Sequence, residues 1–253
     1  MTSGNNSQIN SIEEAFARLG INRMTLSLEE KSSLDERGYL LLMNLIDQSG
    51  LERLRSAFEQ VDAEQRHSED KRQSGTRHIN DLVNKGSKFE QAYMHPKLLA
   101  AAYHVLDRPF RLGQLNGRDP LPGYGQQGLH ADWGYRAPHD PFQVVTAIWI
   151  LDGFTEKNGA TRIVPGTHRT KTPPKAMADP ASRHPDQISV IADAGSLLIF
   201  NGHLWHSGTR NNSASSRRVL QCSFVDRESQ SFVSHEYDVP ETLNPAARYI
   251  SGI

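Results

Sequence analysis

The chain has 253 residues, with 28 Lys plus Arg against 29 Asp plus Glu and a formal net charge of -1. That length is ample for a buried core and suits one all-β sandwich or barrel with helical decoration, while the balanced charge gives no general attraction to nucleic acid or an anionic membrane. No apolar run approaches the roughly 18 residues of a membrane span, the N-terminus has no signal-peptide core, and the single Cys222 excludes an intrachain disulfide. A cytoplasmic protein is expected, with neither nucleic acid nor membrane as a partner.

Residues 1 to 9, rich in Ser, Asn and Gly, read as a disordered tail. Ser11 caps a short amphipathic helix from Ile12 to Leu19, which Gly20 stops. Ser27, with Glu30 three residues on, starts a second helix by a capping box, reaching about Arg37 before Gly38 breaks it. Tyr39 to Met43 is a short apolar run and reads as a buried strand. A third helix is expected from about Ser49 to Gln65, with Leu51, Leu54, Ala57, Phe58 and Val61 on one stripe. Arg66 to Gly75 reads as an exposed loop, and the stretches 76–81 and 85–88 carry no assignable pattern. Pro96 to Leu106 reads as a helix with proline in its first turn, followed by a strand from Pro109 to Asn116 and a turn over Asp119 to Gly123.

From Gln126 onward the pattern is all β. Val144 to Leu151 is rich in β-branched and aromatic residues, a turn follows at Glu156 to Gly159, and Thr161 to Val164 is a further strand halted by Pro165-Gly166. Residues 167 to 187 read as a long loop, and strands are expected at Ile188 to Ile191, Ser196 to Phe200 and Arg217 to Val225. Cys222 falls in the last of these as a small buried hydrophobe. The whole predicts a mainly β protein with flanking helices. A helical N-terminal part, about residues 10 to 106, and a β core, about 109 to 226, form one domain spanning 10 to 253.

The chemistry concentrates at Gly128 to Tyr135, where His130 and Asp132 stand two apart. On an extended strand such residues share a face, so an imidazole and a carboxylate can converge on one ion. Alone, a His-x-Asp pair is more often a hydrogen-bonded strand pair. A third ligand is available in His206, at the end of the apolar run from Leu197, with His203 as a competitor that would face the other way on a continuous strand. Two imidazoles and one carboxylate on one side of a metal, with the remaining positions open, is the ligand set of non-haem Fe(II) oxygenases. Arg217, eleven residues beyond His206, could hold a carboxylate in a bidentate pair, while the adjacent Arg218 would point away. Arg77, His78, Arg118, His139 and Arg210 could each meet a polar substrate, although a surface or hydrogen-bonded role is the ordinary one for such residues. His168 belongs to a Pro-Gly-Thr-His turn and reads as structural, and Trp133 and Tyr135 follow the metal motif as either packing or mouth-lining aromatics.

The order of these pieces matches a family. His130-x-Asp132, then Asn158-Gly159-Ala160-Thr161-Arg162-Ile163-Val164-Pro165-Gly166-Thr167-His168, then His206-Ser207-Gly208-Thr209-Arg210-Asn211, then Arg217, resembles the phytanoyl-CoA dioxygenase family of Fe(II)- and 2-oxoglutarate-dependent oxygenases. The resemblance runs over roughly residues 35 to 226. It implies a double-stranded β-helix, a jelly-roll relative, with His130, Asp132 and His206 as iron ligands, Arg217 on the distal carboxylate of 2-oxoglutarate, and Gln127 as a polar contact to the same cosubstrate. Where some relatives carry a cosubstrate-facing Trp, this chain has Ile148, with Trp149 one place over. The implied reaction consumes O2 and 2-oxoglutarate, releases succinate and CO2, and oxidises a small molecule. Asp132 stands where related halogenases keep a small residue, which favours hydroxylation, desaturation or ring formation. Two other readings stay open: a non-catalytic cupin-like module that binds a metal or small acid, and a 2-oxoglutarate-independent metalloenzyme on the same scaffold.

Overall fold

The computed structural model describes residues 8–66, 75–134, 136–137, 139–170, 179, 182–229, 237 and 244–253. Most of the tail expected at 1 to 9, the centres of the loops at 66 to 75 and 167 to 187, and Tyr135 lie outside the described residues.

The first helix, α1 (Ile12–Arg18), starts where the Ser11 hydroxyl accepts the backbone N–H of Glu14. The next, α2 (Leu28–Ser32), opens with the expected capping box between Ser27 and Glu30. It then widens into a π-helical turn over Ser33–Arg37, which ends at Gly38 with φ of 80°. A side chain at Gly38 would also collide with the His168 ring, its Cβ lying 2.4 Å from Nδ1, so both backbone and space require glycine there. The strand β1 (Tyr39–Leu42) follows, then α3 (Gln48–Arg66). The stretches without a sequence pattern hold the strand β2 (Thr76–Ile79), two 3-10 turns over Leu82–Lys85 and Ser87–Phe89, and the short α4 (Gln91–Met94). After α5 (Pro96–Leu106), the strand β3 (Phe110–Pro120) runs four residues past the expected end. The turn read over 119–123 therefore begins only after Pro120, a residue tolerated at a strand terminus because no further ladder bond is needed there.

The remaining strands are β4 (Val144–Ile150), β5 (Arg162–Val164), β6 (Ile188–Ser189), β7 (Leu197–Asn201), β8 (Trp205–Ser207) and β9 (Val219–Asp226). A C-terminal helix, α6 (Pro245–Ser251), was not expected, although Asn244 caps it and Pro245 occupies its first turn. The strands form two sheets. The larger has the order β1-β7-β4-β9-β3-β2, so both of its edge strands come from the N-terminal part of the chain; the smaller has the order β6-β5-β8. Every pairing is antiparallel.

Alternation along the larger sheet divides the molecule. Val145, Ala147 and Trp149 of β4, with Leu220, Cys222 and Phe224 of β9, join the helices in the main apolar core, where the Trp149 Nε1 donates to the Ala92 carbonyl at 2.7 Å. Ile148, Ile150, Leu198, Phe200 and Val219 face the smaller sheet and meet Ile163 in a second core. The two sheets thus close on one another as a double-stranded β-helix, and the polar end of the space between them holds the candidate site.

Candidate metal and cosubstrate site

The metal motif is held by the smaller sheet. His130 forms an antiparallel bridge with His206 of β8, each backbone N–H donating to the other's carbonyl at 3.0 and 2.9 Å, and the Asp132 N–H donates to the Gly202 carbonyl at 2.7 Å. The segment is extended without being a full strand, and the expected i, i+2 convergence follows from this pairing. Gly202 is needed for it: a Cβ there would meet Val144 Cγ1 at 2.4 Å and Asp132 Cβ at 3.3 Å.

Three donors converge. One ligand atom from each of His130, Asp132 and His206 lies within 4.8 Å of the others, and His206 Nε2 is 3.4 Å from Asp132 Oδ1. The tautomers are set from behind. Nδ1 of His130 donates to the Gly128 carbonyl and Nδ1 of His206 to the Leu204 carbonyl, both at 2.9 Å, which leaves each Nε2 lone pair for a cation. Asp132 is oriented in the same manner, since the Thr146 hydroxyl donates to Oδ2 at 2.6 Å and leaves Oδ1 facing His206. Burial alone would raise the Asp132 carboxyl, but the neighbouring His206 imidazole and the Thr146 hydroxyl hold it down at about 2. Burial likewise works against a proton on His206, and the Asp132 carboxylate reverses that and raises it; burial and the His206 ring keep His130 low. The cluster therefore presents one carboxylate and two imidazole nitrogens to a common point, a donor set suited to a divalent cation.

His203 lies outside the converging set, for a reason other than the one expected. A turn separates β7 from β8, with the Leu204 N–H donating to the Asn201 carbonyl at 2.8 Å, so the two histidines do not share a strand. His203 Nε2 accepts the Gln143 N–H at 3.3 Å, and burial pushes its pKa down to about 4. His168 packs beneath Gly38, as a structural histidine would.

A cavity of about 300 Å³ opens in front of the triad, lined among others by Gln127, Ile148, Arg118 and Arg217. Arg217 lies two residues before β9 and is 6% exposed. Its backbone N–H donates to the buried Asp119 carboxylate at 2.7 Å, its guanidinium lies over the Phe154 ring at 5.1 Å, and its Nε has no hydrogen-bond partner. Burial pushes its pKa down to about 10, with Asp119 opposing the shift. Arg218 points the other way, as expected, onto Asp152 and Glu59. Gln127 accepts the Gly208 N–H through Oε1 at 3.1 Å, and its Nε2 makes no hydrogen bond to a described residue. Ile148 faces the cavity while Trp149 belongs to the helix-side core, so this wall lacks an aromatic residue.

Of the five residues with ordinary surface readings, two line the cavity: Arg118 and His78, which face each other across β3 and β2. Arg77 is half-buried on the opposite face against Glu59, Asp62 and Asp119, and His139 and Arg210 are exposed. Trp133 is half-buried and does not line the cavity. Thr146 went unread in the sequence, though it was the one hydroxyl in an apolar strand and shared the parity of Ile148.

The model of the phytanoyl-CoA dioxygenase family matches residues 34–219. Among curated relatives, the dioxygenase trt7 of Aspergillus terreus is 30% identical over 190 residues, covering 70% of this chain and 65% of its own length. The iron/alpha-ketoglutarate-dependent dioxygenase ausU of Aspergillus calidoustus is 27% identical over 244 residues, covering 87% and 79%. This chain thus spans under two thirds of the first relative and about four fifths of the second. HygX of Streptomyces hygroscopicus, solved with nickel and 2-oxoglutarate bound, superposes with a TM-score of 0.67 at 20% identity over 79% of this chain and 87% of that one. No described helix is long and apolar enough to cross a membrane. The triad, the cavity and the matched span lead to one conclusion: the chain belongs to the phytanoyl-CoA dioxygenase family.

Proposed function

We propose that the protein is an Fe(II)- and 2-oxoglutarate-dependent dioxygenase that hydroxylates a small molecule, with residues 10 to 253 acting as one oxygenase domain. His130, Asp132 and His206 hold the metal, Arg217 receives the distal carboxylate of 2-oxoglutarate, and the Gln127 amide contributes a further polar contact. The observation that carries this reading is the set of three inward donors whose other polar atoms are already committed to Gly128, Leu204 and Thr146, facing a buried guanidinium whose Nε has no hydrogen-bond partner among the described residues. Three protein ligands on one face leave positions for a chelating 2-oxo acid and O2. The bound ferrous ion with 2-oxoglutarate and O2 supplies an oxidant able to cut a C–H bond, with release of succinate and CO2.

The chain's own residues orient and enclose that chemistry. Nδ1–H bonds to backbone carbonyls fix the tautomer and aim of both imidazoles, Thr146 fixes the carboxylate, and Phe200, whose ring centroid is 4.5 Å from that of His206, walls the ligand from water on one side. An Asp at position 132 leaves no room for a halide ligand, which argues against halogenation and leaves hydroxylation, desaturation or ring formation as the reaction.

The test is aerobic succinate formation from 2-oxoglutarate with Fe(II) across a metabolite panel. Wild-type protein should release succinate in response to at least one compound, and Asp132→Ala should lower that release more than about 100-fold. Release no greater than a protein-free control across the panel, or undiminished in the variant, contradicts the proposal.

A further inference from the structure

The cavity holds one cation more than the proposed chemistry uses. Arg118 sits on β3 with its backbone paired to Val219 on one side and His78 on the other. Its side chain lines the chamber beside Asp132, His130 and Arg217. No hydrogen bond or ion pair ties its guanidinium to any described residue, and its Nε is buried without a partner. The nearby anion, Asp132, is already engaged by Thr146 and His206. The neighbouring His78 offers no counter-charge, since an imidazole is never an anion, and burial and Arg118 both disfavour its proton.

Charge balance decides what this arginine is for. A ferrous ion and the Arg217 guanidinium together offset the Asp132 carboxylate and the 2-oxoglutarate dianion. Arg118 then remains as an uncompensated positive charge in a half-buried wall, an arrangement that is unfavourable unless an anion arrives. The contrast with Arg77 sharpens the point. That side chain, one residue before His78, lies on the other face of the sheet and meets three carboxylates, with Glu59 at 2.6 Å, Asp62 at 2.8 Å and Asp119 at 2.6 Å. The fold therefore supplies partners for an arginine where it is structural and withholds them here. We infer that Arg118 is the recognition group for a carboxylate carried by the prime substrate, held in a bidentate pair on the wall it shares with His78. This inference rests on reading the chamber as a metal and 2-oxoglutarate site.

The experiment loads the protein with Ni(II), titrates 2-oxoglutarate by calorimetry, and then titrates the saturated complex with propionate, benzoate and cyclohexanecarboxylate, using their methyl esters as controls. In wild type the acids should bind and the esters should not. Arg118→Gln should weaken acid binding about tenfold or more while leaving 2-oxoglutarate affinity within about twofold, and Arg118→Lys should restore part of the loss. Thermal unfolding of both variants checks that they fold, and the lysine variant carries the test if the glutamine one does not. Acids that fail to bind wild type, or bind Arg118→Gln equally well, overturn the inference. A tenfold loss of 2-oxoglutarate affinity in Arg118→Gln also overturns it, by assigning the residue to the cosubstrate. Failure of the wild-type Ni(II) protein to bind 2-oxoglutarate at all is a different result, and it sinks the proposed function as well.

Discussion

The two faces of the larger sheet treat the same residue type in opposite ways. On the helix side, Arg218 is bound by Asp152 and Glu59, and Arg77 by Glu59, Asp62 and Asp119. On the chamber side, Arg217 and Arg118 have buried Nε groups with no partner. Adjacent residues thus divide between a satisfied ion network and an unsatisfied pair of cations. A buried guanidinium without a carboxylate is costly in a fold that supplies carboxylates a few ångströms away through the sheet. The difference teaches that the chamber's missing charges are meant to come with its ligands.

Exchanging the roles of neighbours is the strongest way to break that comparison. Arg217→Gln should raise the KM for 2-oxoglutarate by about 100-fold, because a charge-assisted bidentate contact is lost, while leaving stability close to wild type. Arg218→Gln should do the reverse, leaving the KM alone and lowering unfolding free energy by about 1–2 kcal/mol in a urea titration, since its partners are partly exposed. If the two variants behave alike, the division between faces has no functional meaning. A smaller effect is expected behind the metal. Thr146→Val removes the 2.6 Å bond to Asp132 Oδ2 without changing side-chain volume much, and should weaken Fe(II) binding about tenfold with the KM for 2-oxoglutarate unchanged. Unaltered metal affinity there would mean that the carboxylate needs no orienting partner.

Legibility in the sequence followed the range of the interactions. Ser11 and the Ser27/Glu30 box mark helix starts by contacts three residues apart, and α3 announced itself by one apolar stripe. The metal motif was legible because His130 and Asp132 share one segment and His206 ends an apolar run. Arg217 was readable only through its spacing from His206 within the family pattern. What stayed hidden depends on distant partners. The strand β2 reads Thr-Arg-His-Ile, and nothing local says that Arg77 can be partly buried, because its three carboxylates come from α3 and β3. The cavity-facing position of Arg118 likewise depends on parity along β3, whose end is masked in the sequence by the turn-like Asp119-Pro120 pair. The helix α6 carries a local Asn244-Pro245 start but is only seven residues long, and the three-residue β8 is too short to separate from the turn before it.

The central claim is that three side chains, and not the neighbouring His203, form one ferrous seat that accepts 2-oxoglutarate. Anaerobic addition of Fe(II) and 2-oxoglutarate, followed by visible absorption, tests it most directly, because a chelated 2-oxo acid on ferrous ion gives a broad charge-transfer band. The band is expected in wild type and in His203→Ala, and is expected to vanish in His206→Ala. No band in wild type, or a band that survives in His206→Ala and disappears in His203→Ala, would contradict it.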